Sequence, residues 1–344
     1  MADHFIYKKE STFGTWVTPD LAIPVKGAGI HSRRSAIDLQ VTGGGRDPFQ
    51  MVMGKKAVGG GIEFPWWTTR VGPLLSTILT SVTTTNPSGS IYNHAMLFDD
   101  TALLGSVSAQ MRYSASVAQN ILSAVISKIS FTWDAGADEP VLVKPEFEAK
   151  DEAPAGGTWD YDGATSSPAV ISPSYASQVR PFMFYDCVIK HGGTPSISGG
   201  KISLAGATTV TRVKNISLDI DMGVDADGFR LAQDPTRKAV PPGERKMSVK
   251  ISQDWSTLDS TFYTAWRAGT MLALDITMQG AVISGSDKYE AHITVPSLWF
   301  DPATYPDVAG EEQVKMQEIS GTPVYNTTCA AALGIWIQTS EATI

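Results

Sequence analysis

The chain is poor in the groups that do chemistry. Cysteine occurs only at Cys187 and Cys329. Two residues so far apart do not make a disulfide framework, no CxxC pair suggests zinc, and both are expected to serve as small buried apolar groups. The five histidines, His4, His31, His94, His191 and His292, have no i+3 or i+4 partner, and no HExxH or EF-hand pattern occurs. No serine sits in a GxSxG elbow, and neither a Walker-type phosphate loop nor a strand-borne GxGxxG is present. The sequence therefore offers no reaction and asks for no cofactor. No apolar run approaches the roughly 20 residues of a membrane-spanning helix, and the start MADHFIYKKE lacks a secretory apolar stretch. The expectation is a protein made and folded in a cytoplasm.

Charge is also scarce, at 18% of 344 residues. Residues 1–150 hold 13 basic and 13 acidic side chains, and the remainder holds 14 and 22, so the net charge of −8 lies wholly in the second half. A protein that grips nucleic acid needs clustered cations, and none are clustered here. Long Ala/Leu/Glu/Lys runs are missing while Thr, Ser, Gly and Val abound, which favours strands.

What is present reads as alternating strands with two short helices. In Met247–Trp255, Met247, Val249 and Ile251 share one face; Leu258, Phe262, Ala265 and Trp266 then fall on a helical stripe, and Met271–Met278 and Tyr289–Phe300 return to strand chemistry. Earlier, Val71, Leu74, Leu75, Ile78, Leu79 and Val82 predict a helix entered through Pro73. Further strands are expected over 36–41, 92–98, 106–113, 124–133, 141–148, 182–189, 201–204, 213–221, 313–319 and 334–338. The glycine triplets Gly43, Gly44, Gly45 and Gly59, Gly60, Gly61 bracket a segment containing Arg46 and Asp47 and read as hinges of a hairpin arm. Residues 223–245, with Asp234, Pro235, Pro241 and Pro242, form the corresponding long loop of the second half. Residues 151–177 read as a linker.

The halves share an order of elements: Ile37-Asp38-Leu39, Asp47-Pro48, long loop, strand and helix, then Leu218-Asp219-Ile220, Asp234-Pro235, long loop, strand and helix. We read an internal duplication, with a first β domain over 1–150, the linker, and a second β domain over 178–344. The acidic pairs Asp99-Asp100 and Glu311-Glu312 read as solvated turns. Asp219 and Asp221 beside Asp225 and Asp227 read as a polar strand face, with a calcium site as the alternative. Trp66-Trp67 and Trp299-Phe300 read as core, with a carbohydrate groove as the alternative.

Phe13-Gly14-Thr15-Trp16-Val17-Thr18-Pro19, the Phe64-Pro65 entry into Gly72-Pro73-Leu74-Leu75, Tyr92-Asn93-His94, Asn120–Trp133 and His292-Ile293-Thr294-Val295-Pro296 resemble bacteriophage tail tube proteins, most closely those of long non-contractile siphophage tails. The resemblance spans nearly the whole chain through loose patterns and element order. It implies mainly-β architecture, two tandem barrel or sandwich domains each flanked by a short helix, and a structural virion protein rather than an enzyme. It implies rings stacked into a DNA conduit, here three two-domain copies with pseudo-sixfold symmetry, contacting tape-measure and tail-terminator or tail-tip proteins without sequence-specific DNA binding. It places inter-ring contacts on the two long loops. A capsid decoration or tail-tip protein and a carbohydrate-binding β-sandwich are the alternatives.

Overall fold

The computed structural model describes residues 4–38, 51–161, 164–173, 180–230, 235–254, 261–301, 307–309 and 316–344. The first half contains β1 (His4–Lys9), β2 (Leu21–Pro24), β3 (Gly27–Asp38), β4 (Met51–Pro65), α1 (Gly72–Leu75), β5 (Ser81–Ser88), β6 (Ile91–Leu97), β7 (Val107–Arg112), β8 (Ala118–Asp134), β9 (Leu142–Ala149) and β10 (Asp151–Pro154). The second contains β11 (Cys187–His191), β12 (Thr194–Ser198), β13 (Lys201–Ala205), β14 (Thr208–Val210), β15 (Val213–Asp221) and β16 (Lys246–Asp254). It continues with α2 (Thr261–Ala268), β17 (Leu272–Ser284), β18 (Asp287–Phe300), β19 (Asp307–Ala309), β20 (Met316–Pro323) and β21 (Gly334–Thr339). The fold is mainly β and antiparallel, as the alternating patterns require, but the described sheet is open and no barrel closes.

Alternation places the core. In β15, Ile216, Leu218 and Ile220 are buried while Ser217, Asp219 and Asp221 face outward; in β9, Val143, Pro145, Phe147 and Ala149 point inward. Two layers meet through these faces. The Phe5 ring of β1 lies 5.5 Å from Phe147 of β9, Trp66 lies 5.2 Å from Phe131 of β8, and Phe262 of α2 lies 6.0 Å from Phe300 of β18. Each fully buried side chain of this size contributes about 1.5–3 kcal/mol by leaving water.

The strand pairings of the first half recur in the second. In the first half, β1 pairs with β2 and β7, β7 with β8, β8 with β9 and β10, β9 with β4, and β4 with β3. Their counterparts are β11 with β14 and β17, β17 with β18, β18 with β20 and β21, β20 with β16, and β16 with β15. A register shift at Val107/Ala109 in β7 is repeated at Leu272/Leu274 in β17. Among the described residues two strand ladders cross between the halves, β8 with β15, from Lys128–Asp221 to Asp134–Asn215, and β6 with β21, and a single bridge joins Pro140 to Met183.

Strand β8 serves both layers by bending at Ser123, whose φ is +52°. Before the bend it lies beside β7, and after it beside β15. Buried Glu10 holds the bend, accepting hydrogen bonds from Ser106 Oγ at 2.6 Å, Ser108 Oγ at 2.6 Å, Ser123 N at 3.0 Å and Ser123 Oγ at 2.7 Å.

Several expectations change. The first helix stops at Leu75. Ser76 Oγ donates to the Pro73 carbonyl and Thr77 Oγ1 to that of Leu74, at 2.9 and 2.7 Å, competing with the helical ladder, and Val82 joins the Thr-rich strand β5. The apolar stripe is nonetheless buried, including Leu74, Leu75 and Ile78. The Gly59–Gly61 triplet is no hinge. It lies inside β4, between β3 and β9, where a Cβ on Gly60 would stand 1.9 Å from the Gly29 carbonyl oxygen. The segment 151–177 opens with β10 on β8, and the strand expected from 182 begins with a 3-10 turn over Phe184–Asp186 before β11. In α2, Phe262 is buried and Trp266 is partly buried with its Nε1 donating to the Asp301 carbonyl at 3.0 Å; Leu258 lies outside the described residues.

Candidate functional site

With no reactive constellation in the sequence, surfaces are the candidates, and three stand out. The first is the arm formed by the far ends of β3 and β4. Ile37, Met51, Val52 and Met53 are exposed there, with Met53 at 74%. The tip residues Gly43, Gly44, Gly45, Arg46 and Asp47 lie outside the described residues. The arm's base is fixed. Lys56, 3% exposed, donates to Asp151 Oδ1 at 2.7 Å, the Glu152 carbonyl at 2.5 Å and Asp160 Oδ2 at 2.5 Å. Asp151 also accepts the backbone N–H groups of Glu152, Asp160 and Tyr161 at 2.7, 2.7 and 2.9 Å, so this buried carboxylate is fully satisfied. Burial opposes the charge on Asp160, but Lys56 and Arg34 outweigh it and hold its pKa low.

The second surface is the long loop between β15 and β16. Arg237, 4% exposed, locks it onto the first half. Its Nη1 donates to the carbonyls of Val58 and Ala149 at 2.7 and 3.2 Å and pairs with Glu148 Oε2 at 2.6 Å, and its Nε donates to the Ala226 carbonyl at 2.8 Å. The Pro235 carbonyl accepts the Lys56 N–H at 3.0 Å, and that of Pro241 accepts the Asp225 N–H at 3.0 Å. Pro242 lines a small hollow with Arg245 and Asp100, which form an ion pair. Asp234 lies outside the described residues. The sequence hinted at none of this anchoring, because an arginine in a Gly/Pro-rich loop looks solvated.

The third surface is the outward face of β4, β9, β8, β15, β16 and β20. Alternation puts Glu63, Glu146, Asp134, Asp219, Asp221, Asp254 and Glu318 on its strands, with Lys128, Lys144, Lys246 and Lys250, interspersed with Ser130, Thr132, Ser217, Ser248, Ser252, Ser320 and Thr322. Lys144 meets Glu63 at 3.0 Å and Lys128 meets Asp221 at 3.4 Å. The face is thus polar, internally paired and net acidic.

Residues raised as enzyme or ligand candidates find other employment. Trp66 is buried against Phe131 and Phe182, and Trp67 packs on the core, so neither forms an open aromatic groove. Asp219 accepts from Ser130 Oγ at 2.5 Å, and Asp99 caps its own turn through the Thr101 N–H and hydroxyl at 2.8 and 2.6 Å. Glu311 and Glu312 lie outside the described residues. His292 sits between Asp275 (3.8 Å) and Glu290 (3.6 Å). Burial opposes its charge, yet the two carboxylates prevail and its pKa is raised. Asp275 is itself occupied by Thr277 and Thr294 hydroxyls at 2.8 and 2.7 Å. Among the described residues no group of three or more His, Cys, Asp or Glu side chains is arranged to hold a metal ion, and no helix is long and apolar enough to cross a membrane.

No curated protein matches the chain. The family model described as phage tail tube protein matches residues 4–323, nearly the whole sheet just described and both of its surface loops. This chain belongs to the phage tail tube protein family.

Proposed function

We propose that the protein polymerises as stacked rings into the tube of a long non-contractile tail, through which DNA passes into the host. Each subunit comprises two duplicated units, over 1–150 and 178–344, joined through 151–177, so that three copies make a ring with pseudo-sixfold symmetry. The single observation that carries this reading is the recurrence of the first half's strand pairings in the second, with the halves already joined side by side through β8 and β15. A contact of that kind, repeated head to tail, closes a circle when its rotation divides a full turn. The polar, net acidic sheet face is the proposed channel wall. Each phosphate neutralised by a Lys or Arg would add affinity, and a wall where Lys144 is answered by Glu63 and Lys128 by Asp221, with acidic residues in excess, lets the duplex slide.

Inter-ring contacts are assigned to the arm, with its tip residues Gly43–Asp47 and the exposed Ile37, Met51 and Met53, and to the loop carrying Asp234, Pro235, Pro241 and Pro242. The subunit is made in the host cytoplasm and ends in the virion tail, with the tape-measure protein inside the tube and terminator and tip proteins at its ends. Negative-stain electron microscopy of the purified protein, over a range of concentration and temperature, tests the reading. Stacked hollow rings are expected, with three-fold but nearly six-fold averages. Met53→Glu should abolish stacking without altering the melting temperature. Closed single oligomers or monomers under every condition would refute the proposal.

A further inference from the structure

Equivalent positions in the two halves follow from the recurring registers. Gly61 faces Glu146 as Lys250 faces Ser320, and Ile126 faces Phe147 as Phe300 faces Gly321. Carried across to the neighbouring strands, Gly29 opposite Gly61 corresponds to Ser217 opposite Lys250, and His31 opposite Gly59 to Asp219 opposite Ser248. Strand β19 continues beyond β18 along β20, with Asp307 opposite Glu318 where the first half has Ser130 opposite Lys144.

In the first half the outer edge of this stretch of β8 is covered by β15, with Ser130 opposite Asp219 and Thr132 opposite Ser217. Among the described residues, β19 pairs only with β20, and β3, the counterpart of β15, pairs only with β4. Each chain thus presents one half of a junction at either end of its sheet. Resting on the ring reading above, we infer that β19 of one copy receives β3 of a second copy, antiparallel, with Asp307 opposite His31, Val308 opposite Ile30 and Ala309 opposite Gly29.

The edge chemistry of β3 fits. The Ser32 N–H turns away from β4 and donates to a Glu152 carboxylate oxygen at 2.7 Å. Residues of the same parity, Ile30 included, therefore direct their main-chain groups outward, where a ladder is needed. The Glu152 carboxylate also ends the free stretch at Ser32, since a charge at a sheet edge discourages indiscriminate pairing. His31, of opposite parity, directs its main-chain groups to β4. It would stand in a non-hydrogen-bonded pair with Asp307, whose Cα atoms approach to about 4.5 Å, within the span of a disulfide.

The test is a chain carrying His31→Cys and Asp307→Cys. Background oxidation should be slow, because Cys329 is buried and burial pushes the Cys187 thiol up to about 12. Mild oxidation of assembled protein is expected to give covalent species of three copies on a non-reducing gel, reversed by reductant. A control pairing His31→Cys with Ala309→Cys should give at least about tenfold less, its Cα atoms lying more than a disulfide's reach apart. Mixing the two single variants, His31→Cys and Asp307→Cys, should give covalent dimers only. Tubes without cross-linking at this register, or with stronger cross-linking in the control, would overturn the junction and leave the ring reading standing. Failure of the unsubstituted protein to form rings or tubes would overturn both.

Discussion

Replacing Arg237 with methionine removes the most buried of the side chains that fasten the β15–β16 loop to the first half, beside the more exposed pairs Lys55–Asp227 and Arg245–Asp100, while keeping most of its volume. Three carbonyls and one carboxylate lose a charged donor: Val58, Ala149, Ala226 and Glu148. Removing one partner of a fully buried ion pair costs about 3–5 kcal/mol. The Glu148 side chain is 25% exposed, so water recovers part of its solvation and the low end applies. The expected loss is about 3 kcal/mol, with the carbonyls of Val58 and Ala149 contributing more than the carboxylate. Glu148→Gln, which keeps every carbonyl bond and an amide oxygen able to accept from Arg237, should cost less, about 1–2 kcal/mol, since the buried guanidinium loses only its opposite charge. Urea titration gives the two losses, and amide exchange over residues 222–230 and 235–245 should accelerate at least tenfold in Arg237→Met alone. Two equal losses would show that the ion pair, not the carbonyl clamp, carries the anchoring. A loss under about 1 kcal/mol with unchanged exchange would refute the anchor altogether.

Two further outcomes are specific. Gly60→Ala should be severely destabilising, by more than about 4 kcal/mol, because φ is +146° and a Cβ would stand 1.9 Å from the Gly29 carbonyl oxygen; Gly61→Ala, whose nearest contact is 3.4 Å away, should melt within a few degrees of wild type. His292→Gln should cost most at mildly acidic pH. A raised imidazole pKa stabilises fully below the unfolded value of about 6.5 and loses that contribution as pH rises through the folded value. Melting curves of wild type and variant should therefore converge toward pH 9, and a gap independent of pH would refute the ion-pair account.

Where one face of a strand is buried and the other wet, the sequence was nearly sufficient. The alternating pattern over 213–221 coincides with β15 residue for residue, and the patterns behind β16, β18 and β21 end within two residues of those strands. The apolar stripe from Val71 to Leu79 identified buried residues correctly but the wrong backbone, because hydroxyl groups and β-branched neighbours decide a short helix against an apolar pattern. The Gly59–Gly61 triplet misleads for a similar reason. Glycine marks permissiveness, and a hinge and a close approach of three strands both require it. The anchors Arg237, Lys56 and Glu10 were invisible, since a buried charge is recognisable only from partners that lie far away in the chain. The family resemblance, by contrast, is legible from loose residue patterns together with element order, and the family match over residues 4–323 bears it out.

The two pairings that cross between the halves change what a break in the chain would do. Because β8 lies against β15 and β6 against β21, neither half owns a complete sheet. A protease nick within residues 164–173 would sever the covalent connection and leave the fragments held by backbone ladders on both sides. The halves are thus neither beads on a string nor a single repeating lattice. They are two pieces of one fabric, woven together along backbone ladders, and a single melting transition is the expected outcome.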